Sequence, residues 1–430
     1  MEGIQLSLFS QDPEDSENFF TRKRHWSASK HRILLKYIQA FCYNLGGNEP
    51  YQSEYINYVD GFAGTGKYEK GIGIEDFVNN SKFWAKKYNH NFEDTDGSPL
   101  LALKCAKLFG QEDRVNLRCF FIEYNRNNNN KLKENCELVS KDLIYKIYQP
   151  KRFEVAFPEV MSDLENYPTL FFLDTFAVKG VTFEHICSIG DYVSRYKGEL
   201  FLLFHNISVA RHAGQHKEVY ENLKQQKTSE SYSRNLTNLL GKNSEREWQT
   251  KWLELKNQPQ EFERWALEYF KKRMRTEAGF KGVTSFEIKE QYSDSRPKYS
   301  IVVGSNHPKK AFGEYLNDFI SKENKLLFFK DNNKGIEKFL EKEWNYENEK
   351  RDKEILPQAI EILRNFKSSW VTFDNAITNI ILEISDLGRL KRTQYYNDIL
   401  IPLYKQGMLE IRNPGSKKPY TLKSLMRILE

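Results

Sequence analysis

The sequence contains little cysteine and no long apolar run. Its 430 residues include five cysteines, and no two of them form a Cys-x-x-Cys pair. An odd, scattered set of thiols argues against a disulfide framework and against a zinc ribbon, and it suits a reducing compartment. No stretch of about 18 apolar residues occurs, and the acidic start of the chain lacks the features of a secretory signal. We therefore expect a cytoplasmic protein with no membrane partner.

Charge of one sign is also not in large excess. Lys and Arg number 65 against 59 Asp and Glu, a net charge of +6, which is too mild by itself to indicate a nucleic-acid binder. Aromatic residues make up 14% of the chain, which argues against disorder. At about 150 residues per domain, the length predicts two or three domains.

Apolar segments alternate with helical patterns over the first three quarters of the chain. Nearly continuous apolar runs separated by helices are typical of a parallel sheet covered on both faces. The predicted strands end near Asp60 and Glu123, include a weak candidate at 145–149, and continue with 169–174 and 199–205. Segments 284–292 and 298–305 lie on either side of Pro297 and predict an antiparallel hairpin. The predicted fold class is α/β, a Rossmann-like sheet of parallel strands followed by this hairpin.

The sequence pattern also predicts domain boundaries. The last part contains three helical patterns and a short hairpin, the outline of an α+β winged-helix domain. The predicted units are an N-terminal lead-in at 1–29, an α/β domain at 30–322 with a helical insertion at about 208–280, a linker with a helix at 323–354, and a winged-helix-like domain at 355–430.

The strongest local motif is a glycine turn after the first strand, Asp60-Gly61-Phe62-Ala63-Gly64-Thr65-Gly66-Lys67. In one interpretation, the turn lets backbone N–H groups approach a ligand, and Asp60 binds an ammonium or a ribose. In a second, Gly61-x4-Gly66-Lys67 is a near P-loop of a nucleotidase, although Tyr68 stands where a P-loop needs Ser or Thr. A purely structural turn is the third interpretation.

Two further acids end predicted strands. Glu123 can accept both hydroxyls of a ribose, or it can simply favour the positive end of the next helix. Asp174 lies where the crevice of an open α/β sheet is expected, and it can accept a hydrogen bond from an amino group or a proton from a nucleophile. Phe176 can stack on a flat substrate or belong to the core.

Histidines do not form a recognisable metal motif. His212 and His216 share a helix face, but Ala213 occupies the position where a zinc helix of this kind needs Glu. We therefore predict no metal site.

Together these motifs resemble the three-Cys-motif partner protein family (TcmP), within class I S-adenosylmethionine-dependent methyltransferases. The resemblance covers about 30–320 and is carried by YVDGFAGTGKY, GSPLLAL, FFIE, LFFLDTFAVKGVTFE and LFLLFH. It implies S-adenosylmethionine as cofactor, with the methionine part along the glycine turn, the ribose on Glu123, and Asp174 and Phe176 facing the methyl acceptor. The implied cofactor residues are Asp60, Gly61, Phe62, Gly64, Gly66 and Glu123.

The same resemblance implies a partner and a biological setting. Genes of this family neighbour a phage-associated protein with a three-cysteine motif, itself similar to radical S-adenosylmethionine enzymes. The implied function is methylation of nucleic acid in a phage-related or antiviral defence system.

The chain departs from the family pattern at its strand-four motif. Thr175 and Ala177 replace the Pro and Gly of Asp-Pro-Phe-Gly. In amino-methyltransferases that proline aims its carbonyl at the amino group, so catalysis is less strongly implied than cofactor binding. The acid expected near the adenine has only Glu154 as a weak candidate. A catalytically degenerate methyltransferase fold that binds nucleic acid or a nucleotide and serves a partner is therefore the alternative.

The net charge is concentrated at the end of the chain. Residues 386–430 carry nine Lys and Arg and four Asp and Glu, a local net charge of +5. We expect the start of the helix after Leu390 to contact DNA or RNA as a recognition helix does, and a basic wing to contact the backbone. A solvated basic face, or a winged helix that binds protein, is the alternative. The predicted nucleic-acid-binding residues are Lys391, Arg392, Gln394, Tyr395, Arg412, Lys417 and Lys418.

Overall fold

The structure is a computed structural model of the 430-residue chain. It describes residues 20–47, 52–72, 92–111, 115–139, 142–215, 223–331, 337–367, 369–384, 387–412 and 422–429.

A seven-stranded, mostly parallel sheet forms the centre of the molecule. Its strand order is β3-β2-β1-β4-β5-β7-β6, and β7 runs antiparallel to both of its neighbours. The strands are β1 (Tyr55–Asp60), β2 (Asn116–Phe121), β3 (Tyr145–Ile147), β4 (Thr169–Leu173), β5 (Gly198–Phe204), β6 (Gly282–Ile288) and β7 (Tyr299–Ser305). The predicted parallel strands and the predicted hairpin are confirmed, and the sheet is compatible with a Rossmann-like fold.

Helices connect and cover these strands. Those within and around the sheet are α1 (His25–Leu45), α2 (Ser98–Gln111), α3 (Arg126–Val139), α4 (Phe153–Asp163), α5 (Phe183–Tyr196), α6 (Asn206–Gly214), α7 (Leu223–Leu240), α8 (Glu245–Leu255) and α9 (Pro259–Thr276). A 3₁₀ turn, Lys242–Ser244, joins α7 to α8. Helices α6 to α9 lie between β5 and β6, where the sequence predicts a helical insertion.

Alternate side chains of each strand point to opposite faces of the sheet, and both faces are buried. Tyr58 and Phe172 belong to an apolar cluster that includes α1 and α2. Their neighbours Val59 and Phe171 belong to a second cluster with α4, α5 and the helical insertion. Burial on both faces explains why these strands are continuously apolar instead of alternating.

Apolar side chains of the C-terminal part belong to the same cluster as those of α1 and α2. A π-helical stretch, Lys309–Leu316, leads into α10, and the remaining elements are α10 (Asn317–Asp331), α11 (Glu337–Arg364), β8 (Val371–Thr372), α12 (Phe373–Glu383), α13 (Arg392–Gln394), a π-helical stretch (Tyr395–Leu400), α14 (Ile401–Lys405), β9 (Leu409–Arg412) and β10 (Leu425–Ile428). Strands β8, β10 and β9 form a small antiparallel sheet. The range 323–354, predicted as a linker with a helix, falls mostly within α10 and α11.

Candidate functional site

Three acids meet at one edge of the sheet. Strands β2, β1 and β4 are adjacent and parallel, so their carboxyl ends lie side by side. Asp60 ends β1, Glu123 follows β2, and Asp174 follows β4. The structure therefore brings together the acids that the sequence singles out. Ligands of open α/β sheets bind at this edge.

The glycine turn is held by Glu123. The Gly64 N–H donates to Glu123 Oε2 at 2.9 Å, and the Asn125 N–H donates to Oε1 at 2.7 Å. Gly64 and Gly66 have φ values of +61° and +75°, in the left-handed region that glycine adopts without strain. Burial raises the pKa of Glu123, whereas these backbone donors oppose the shift. The turn and the acid after β2 therefore form one connected unit.

Asp60 lies beneath this turn and is fully buried. The Phe62 N–H donates to Asp60 Oδ1 at 3.2 Å, and the Tyr58 hydroxyl lies 3.4 Å from Oδ2. Burial raises the pKa of Asp60 to about 7, although a hydrogen bond from the Ser98 side chain acts against this rise. Asp60 thus titrates in the neutral range and shapes the turn from inside.

Asp174 forms an ion pair with Lys30 of α1. The Lys30 side chain is 5% exposed and that of Asp174 is 25% exposed. The Lys30 ammonium also lies within 6 Å of the Phe172 and Tyr299 ring centroids. The carboxylate expected to face a methyl acceptor is therefore engaged by a cation of the protein itself.

The backbone after Asp174 has internal partners as well. His205 Nε2 hydrogen-bonds to the Thr175 carbonyl, which requires the proton to be on Nε2. The Thr175 hydroxyl donates to the Ala177 carbonyl at 3.0 Å. Ala177 has φ of +129°, a strained value for a residue with a side chain. Phe176 is 49% exposed, so it is not a core residue.

A short N-terminal strap, residues 20–23, lies against the glycine turn. Backbone hydrogen bonds join it to residues 69 and 70. The Phe20 ring lies directly over Gly64. A Cβ added to Gly64 would be 2.5 Å from Phe20 Cζ. Lys23 inserts its buried ammonium between the carbonyls of Asp94 and Asp96, at 2.9 and 2.8 Å. The strap therefore covers part of the glycine turn.

Between the strap, α1 and the strand ends is a cavity of about 20 Å³. That volume holds about one water molecule. Its lining combines aromatic rings with polar groups and includes Phe20, His31, Phe62, Tyr68, Ser98, Asp174 and Phe176. His31 is 2% exposed, and its Nδ1 has no hydrogen-bond partner among the residues that the structure describes.

The P-loop interpretation gains no support from this geometry. A P-loop places the start of a helix directly after its lysine. Here Lys67 pairs with Glu93 at 2.7 Å and is followed by a non-helical segment through 72. The next helix described is α2, which starts at Ser98.

Of the two histidines that share a predicted helix face, the structure describes His212. His212 Nδ1 bonds the Ser208 carbonyl at 2.7 Å, and His216 lies outside the described residues. Within the described ranges there is no group of three or more His, Cys, Asp or Glu that could hold a metal ion, and no helix there is long and apolar enough to cross a membrane.

Glu154, the candidate for the acid near the adenine, lies exposed in the first turn of α4.

The predicted nucleic-acid residues separate into two groups. Arg392 lies in an interface, where its guanidinium donates to the Gly313 carbonyl at 2.7 Å and pairs with Asp374 at 2.6 Å. Tyr395 is fully buried, so its side chain belongs to the core of the C-terminal part. Burial therefore removes the Tyr395 side chain from the predicted contact surface, and the half-buried Arg392 guanidinium has partners inside the protein.

The second group remains at the surface. Lys391 and Gln394 are half-buried at the start of the helix, and Arg412 is exposed. The Arg412 guanidinium lies 5.1 Å from the Trp370 ring centroid. Lys417 and Lys418 lie outside the described residues.

Comparisons with known proteins give limited information. No protein-family model matches the chain, and no curated protein matches it. Among solved structures it is similar to protein LPL1258 from Legionella pneumophila, of the family model DUF519, with 12% identity over 67% of this chain and 89% of that chain. The TM-score is 0.36.

Sequence reasoning did not include the groups that α1 and the strap contribute. Lys30 lies 144 residues before Asp174, so no local pattern connects the two. The run Lys30-His31-Arg32 places three basic side chains next to the apolar part of helix α1, and that unusual placement is the signal by which they could have been found.

Proposed function

We propose that this protein is an S-adenosylmethionine-dependent methyltransferase-like protein that acts on nucleic acid, DNA or RNA. The observation that carries the proposal is the unit formed by the glycine turn, Asp60 and Glu123 at the carboxyl ends of β1 and β2. The strand order with an antiparallel β7 supports it, because that is the order implied by the methyltransferase resemblance. The setting proposed from the same resemblance is a cytoplasmic phage-related or defence system with a three-Cys-motif partner.

The residues of the turn have the backbone and acceptor groups that binding of S-adenosylmethionine would use. Gly64 carries no Cβ, so a ligand can lie on its backbone once the Phe20 ring has moved, whereas Leu132 packs on Gly66. Glu123 has lone pairs beyond those its two backbone donors use, so it can also accept ribose hydroxyls. When bound, the cofactor supplies an electrophilic methyl group. Phe20 must leave Gly64 first, because a cavity of about 20 Å³ holds only a water.

Binding of S-adenosylhomocysteine, measured by calorimetry, tests this proposal. We expect the wild type to bind, Glu123→Gln to lose at least about tenfold in affinity because one carboxylate oxygen becomes a donor, and Asp174→Asn to bind nearly as the wild type. Circular dichroism should show that both variants remain folded. If the wild type does not bind S-adenosylhomocysteine, the methyltransferase proposal is wrong.

Nucleic-acid binding is proposed to involve a winged helix formed by α12 to α14 and strands β8 to β10. Lys391, Gln394 and Arg412 are the described surface residues that support this role. Deleting residues 386–430 is a poor test, because Leu400 and Met426 belong to the shared core. Point variants preserve that core.

The test is the salt dependence of duplex DNA and RNA binding. Replacing both Lys391 and Arg412 by Ala should weaken binding and reduce the slope of log K against log salt by about two, one for each phosphate that the protein then leaves unneutralised. Lys272→Ala, an exposed lysine of α9, is the matched control. An unchanged slope in the double variant would refute this part of the proposal.

A degenerate methyltransferase fold is the second candidate, and specific contacts favour it. Each acceptor that an amino-methyltransferase offers its substrate already has one partner in the protein, since Lys30 pairs with Asp174 Oδ2 and His205 hydrogen-bonds to the Thr175 carbonyl. This candidate predicts that Asp174→Ala leaves biological activity intact, whereas the catalytic proposal predicts its loss. A defence or methylation assay of the full chain with its partner separates the two.

A further inference from the structure

The start of helix α1 carries a concentration of positive charge. Arg22, Lys23, Arg24 and His25 follow one another in the sequence, and the first turn of α1 contains no acid. The amino end of a helix is its positive end, where acids are favoured and cations are destabilising. This run therefore opposes the stability of α1 unless an anion from outside the helix balances it.

The backbone divides the run between the interior and the surface. The strap pairs with residue 70 as an extended segment, in which alternate side chains point in opposite directions. Lys23 is buried and donates to two backbone carbonyls, whereas Arg22 and Arg24 are exposed. Within the part of the chain that the structure describes, neither arginine forms an ion pair. Both guanidinium groups therefore face solvent on the same side of the strap.

The hairpin before β7 adds a cation to this side of the molecule. The Arg24 guanidinium lies 5.9 Å from the centre of the Trp26 ring, and the ammonium of Lys298 lies 5.0 Å from it. Lys298 is exposed and also pairs with Glu290 at 2.7 Å. The indole ring thus holds two cations from distant parts of the chain beside each other.

Helix α10 contributes a further cation. Lys330 is exposed near the end of α10 and forms no ion pair with a described residue. Burial lowers the pKa of His25, and the nearby charges of Lys330, Arg32 and Arg22 lower it further, although Asp94 opposes them. The end of α10 therefore lies close to the start of α1, and their positive charges add.

Acids in this region do not cancel the excess. Arg32 and Lys36 share the single carboxylate of Glu323, at 2.8 and 3.4 Å. The carboxylates of Asp94 and Asp331 accept hydrogen bonds from backbone N–H groups. A surface with more cations than carboxylates attracts a polyanion.

From this arrangement, we propose that a basic surface formed by Arg22, Arg24, Lys298 and Lys330 binds the phosphodiester backbone of nucleic acid. Guanidinium groups match phosphate oxygens in a bidentate way, which favours phosphate over the carboxylates of an acidic protein. Arg22 lies two residues after Phe20, so bound backbone lies next to the cavity that Phe20 lines. The inference rests on the proposed function and adds a nucleic-acid contact outside the C-terminal part.

The test is the binding of fluorescent single-stranded and duplex oligonucleotides, measured by anisotropy at several salt concentrations. Replacing both Arg24 and Lys330 by Ala should weaken binding about tenfold. The slope of log K against log salt should become shallower by about 1.4 with a single strand and about 1.8 with a duplex. Replacing Arg246 and Lys272 by Ala removes two exposed cations of α8 and α9 and should change neither quantity.

A second measurement separates nucleic acid from an acidic protein. Polyglutamate with the same number of charges should displace the oligonucleotide from the wild type at least about tenfold less effectively than an unlabelled oligonucleotide does. Equal displacement would overturn the proposal, because the surface would then fit an acidic protein equally well.

Two outcomes separate this inference from the proposed function. Unchanged affinity and slope in the Arg24 and Lys330 double variant would overturn the inference, while weaker binding in the Lys391 and Arg412 double variant would leave the proposed function standing. If the wild type binds no nucleic acid, the inference and the nucleic-acid part of the proposed function are both wrong, and calorimetry with S-adenosylhomocysteine still decides the cofactor part.

Cross-linking keeps the inference testable if the double variant does not fold. A 4-thiouridine oligonucleotide bound to the wild type should cross-link to the peptide that contains Trp26, as read by mass spectrometry. Cross-links confined to residues 386–430 would overturn the inference.

Discussion

At the scale of single residues, the backbone that follows Asp174 is strained at Ala177. Ala177 adopts φ of +129°, a region in which a Cβ clashes with the backbone and which glycine tolerates. A glycine at position 177 would adopt this φ without strain.

Ala177→Gly should release this strain. We expect the free energy of unfolding, measured with urea, to rise by about 1 kcal/mol, because the relief at a positive φ exceeds the entropy that glycine adds to the unfolded chain. Ala210→Gly, in the interior of α6 and buried, is the control and should lower stability instead. A loss of stability in Ala177→Gly would mean that the alanine methyl group contributes packing that outweighs the strain.

At the scale of elements, the N-terminal strap occupies the glycine turn and would compete with the proposed ligand for it. Phe20 rests on Gly64, and Lys23 anchors the strap through two backbone carbonyls. Only molecules in which the strap has left can bind a ligand that needs the open turn. The apparent affinity is therefore the affinity of this open form multiplied by the fraction of molecules that are open.

Phe20→Ala should therefore tighten S-adenosylhomocysteine binding. A partly buried ring contributes ~1–2 kcal/mol, so we expect the dissociation constant to fall roughly five- to thirtyfold. Calorimetry measures it, with Tyr43→Ala, an exposed ring on α1, as the control. Weaker binding in Phe20→Ala would show that the ring packs on the ligand and does not block it.

Helix α1 is also joined to the sheet through a buried acid. The Tyr37 hydroxyl donates to Glu199, and the Ser305 hydroxyl donates to Glu199 Oε1 at 3.1 Å. Burial raises the pKa of Glu199 to about 7, from an ordinary value of 4.5. The folded protein holds this proton more tightly than the unfolded chain does, so the free energy of unfolding falls as the pH rises from about 4.5 to about 7.

Glu199→Gln should remove that pH dependence, since an amide does not ionise. Relative to the wild type, the variant should gain up to about 3 kcal/mol between pH 4.5 and 7 and show no further relative change above pH 7. Urea unfolding across this range measures the difference. Glu287→Gln, an exposed acid of β6, should show a much smaller change, and equal behaviour of the two variants would contradict the burial of Glu199.

At the scale of the whole molecule, the C-terminal part is fastened to the α/β part through α10. Asn317 is fully buried, accepts from the Gly388 N–H at 3.0 Å and donates to the Leu390 carbonyl at 2.8 Å. The Arg392 N–H donates to Asp318 Oδ1 at 2.7 Å. These contacts fix the loop before the proposed recognition helix.

Asn317→Ala should loosen that attachment. Removing two hydrogen bonds to buried backbone groups predicts a destabilisation of about 2–3 kcal/mol and faster hydrogen exchange over 388–405. Asn324→Ala, which removes one longer hydrogen bond of 3.3 Å to Gly388, is the control and should have a smaller effect. Unchanged exchange over 388–405 would show that apolar packing alone holds the loop.

Much of the fold could be predicted because its strands are buried on both faces and are therefore apolar throughout. The acids at the ends of β1, β2 and β4 were predictable for the same reason, as each stands where an apolar run stops. The strap and the ion pair of Lys30 could not be predicted, because no local period links positions so far apart in the chain. Tyr395 was predicted as a surface residue, because ring chemistry does not reveal which side of a short helix is buried. The sequence also does not show that Gly313 and Asp374 bind the Arg392 guanidinium.

The sequence by itself determined the parallel sheet, the hairpin, and the place of the glycine turn and its acids, because periodicity and chain punctuation are local properties. Only the tertiary structure decided that Asp174 faces Lys30, that His31 lines the same cavity, and that Phe20 lies on Gly64. Those contacts depend on how helix α1 and the residues before it pack across the sheet edge. Packing is a cooperative property of the whole chain, and it sets which of the predicted site residues are exposed to a ligand.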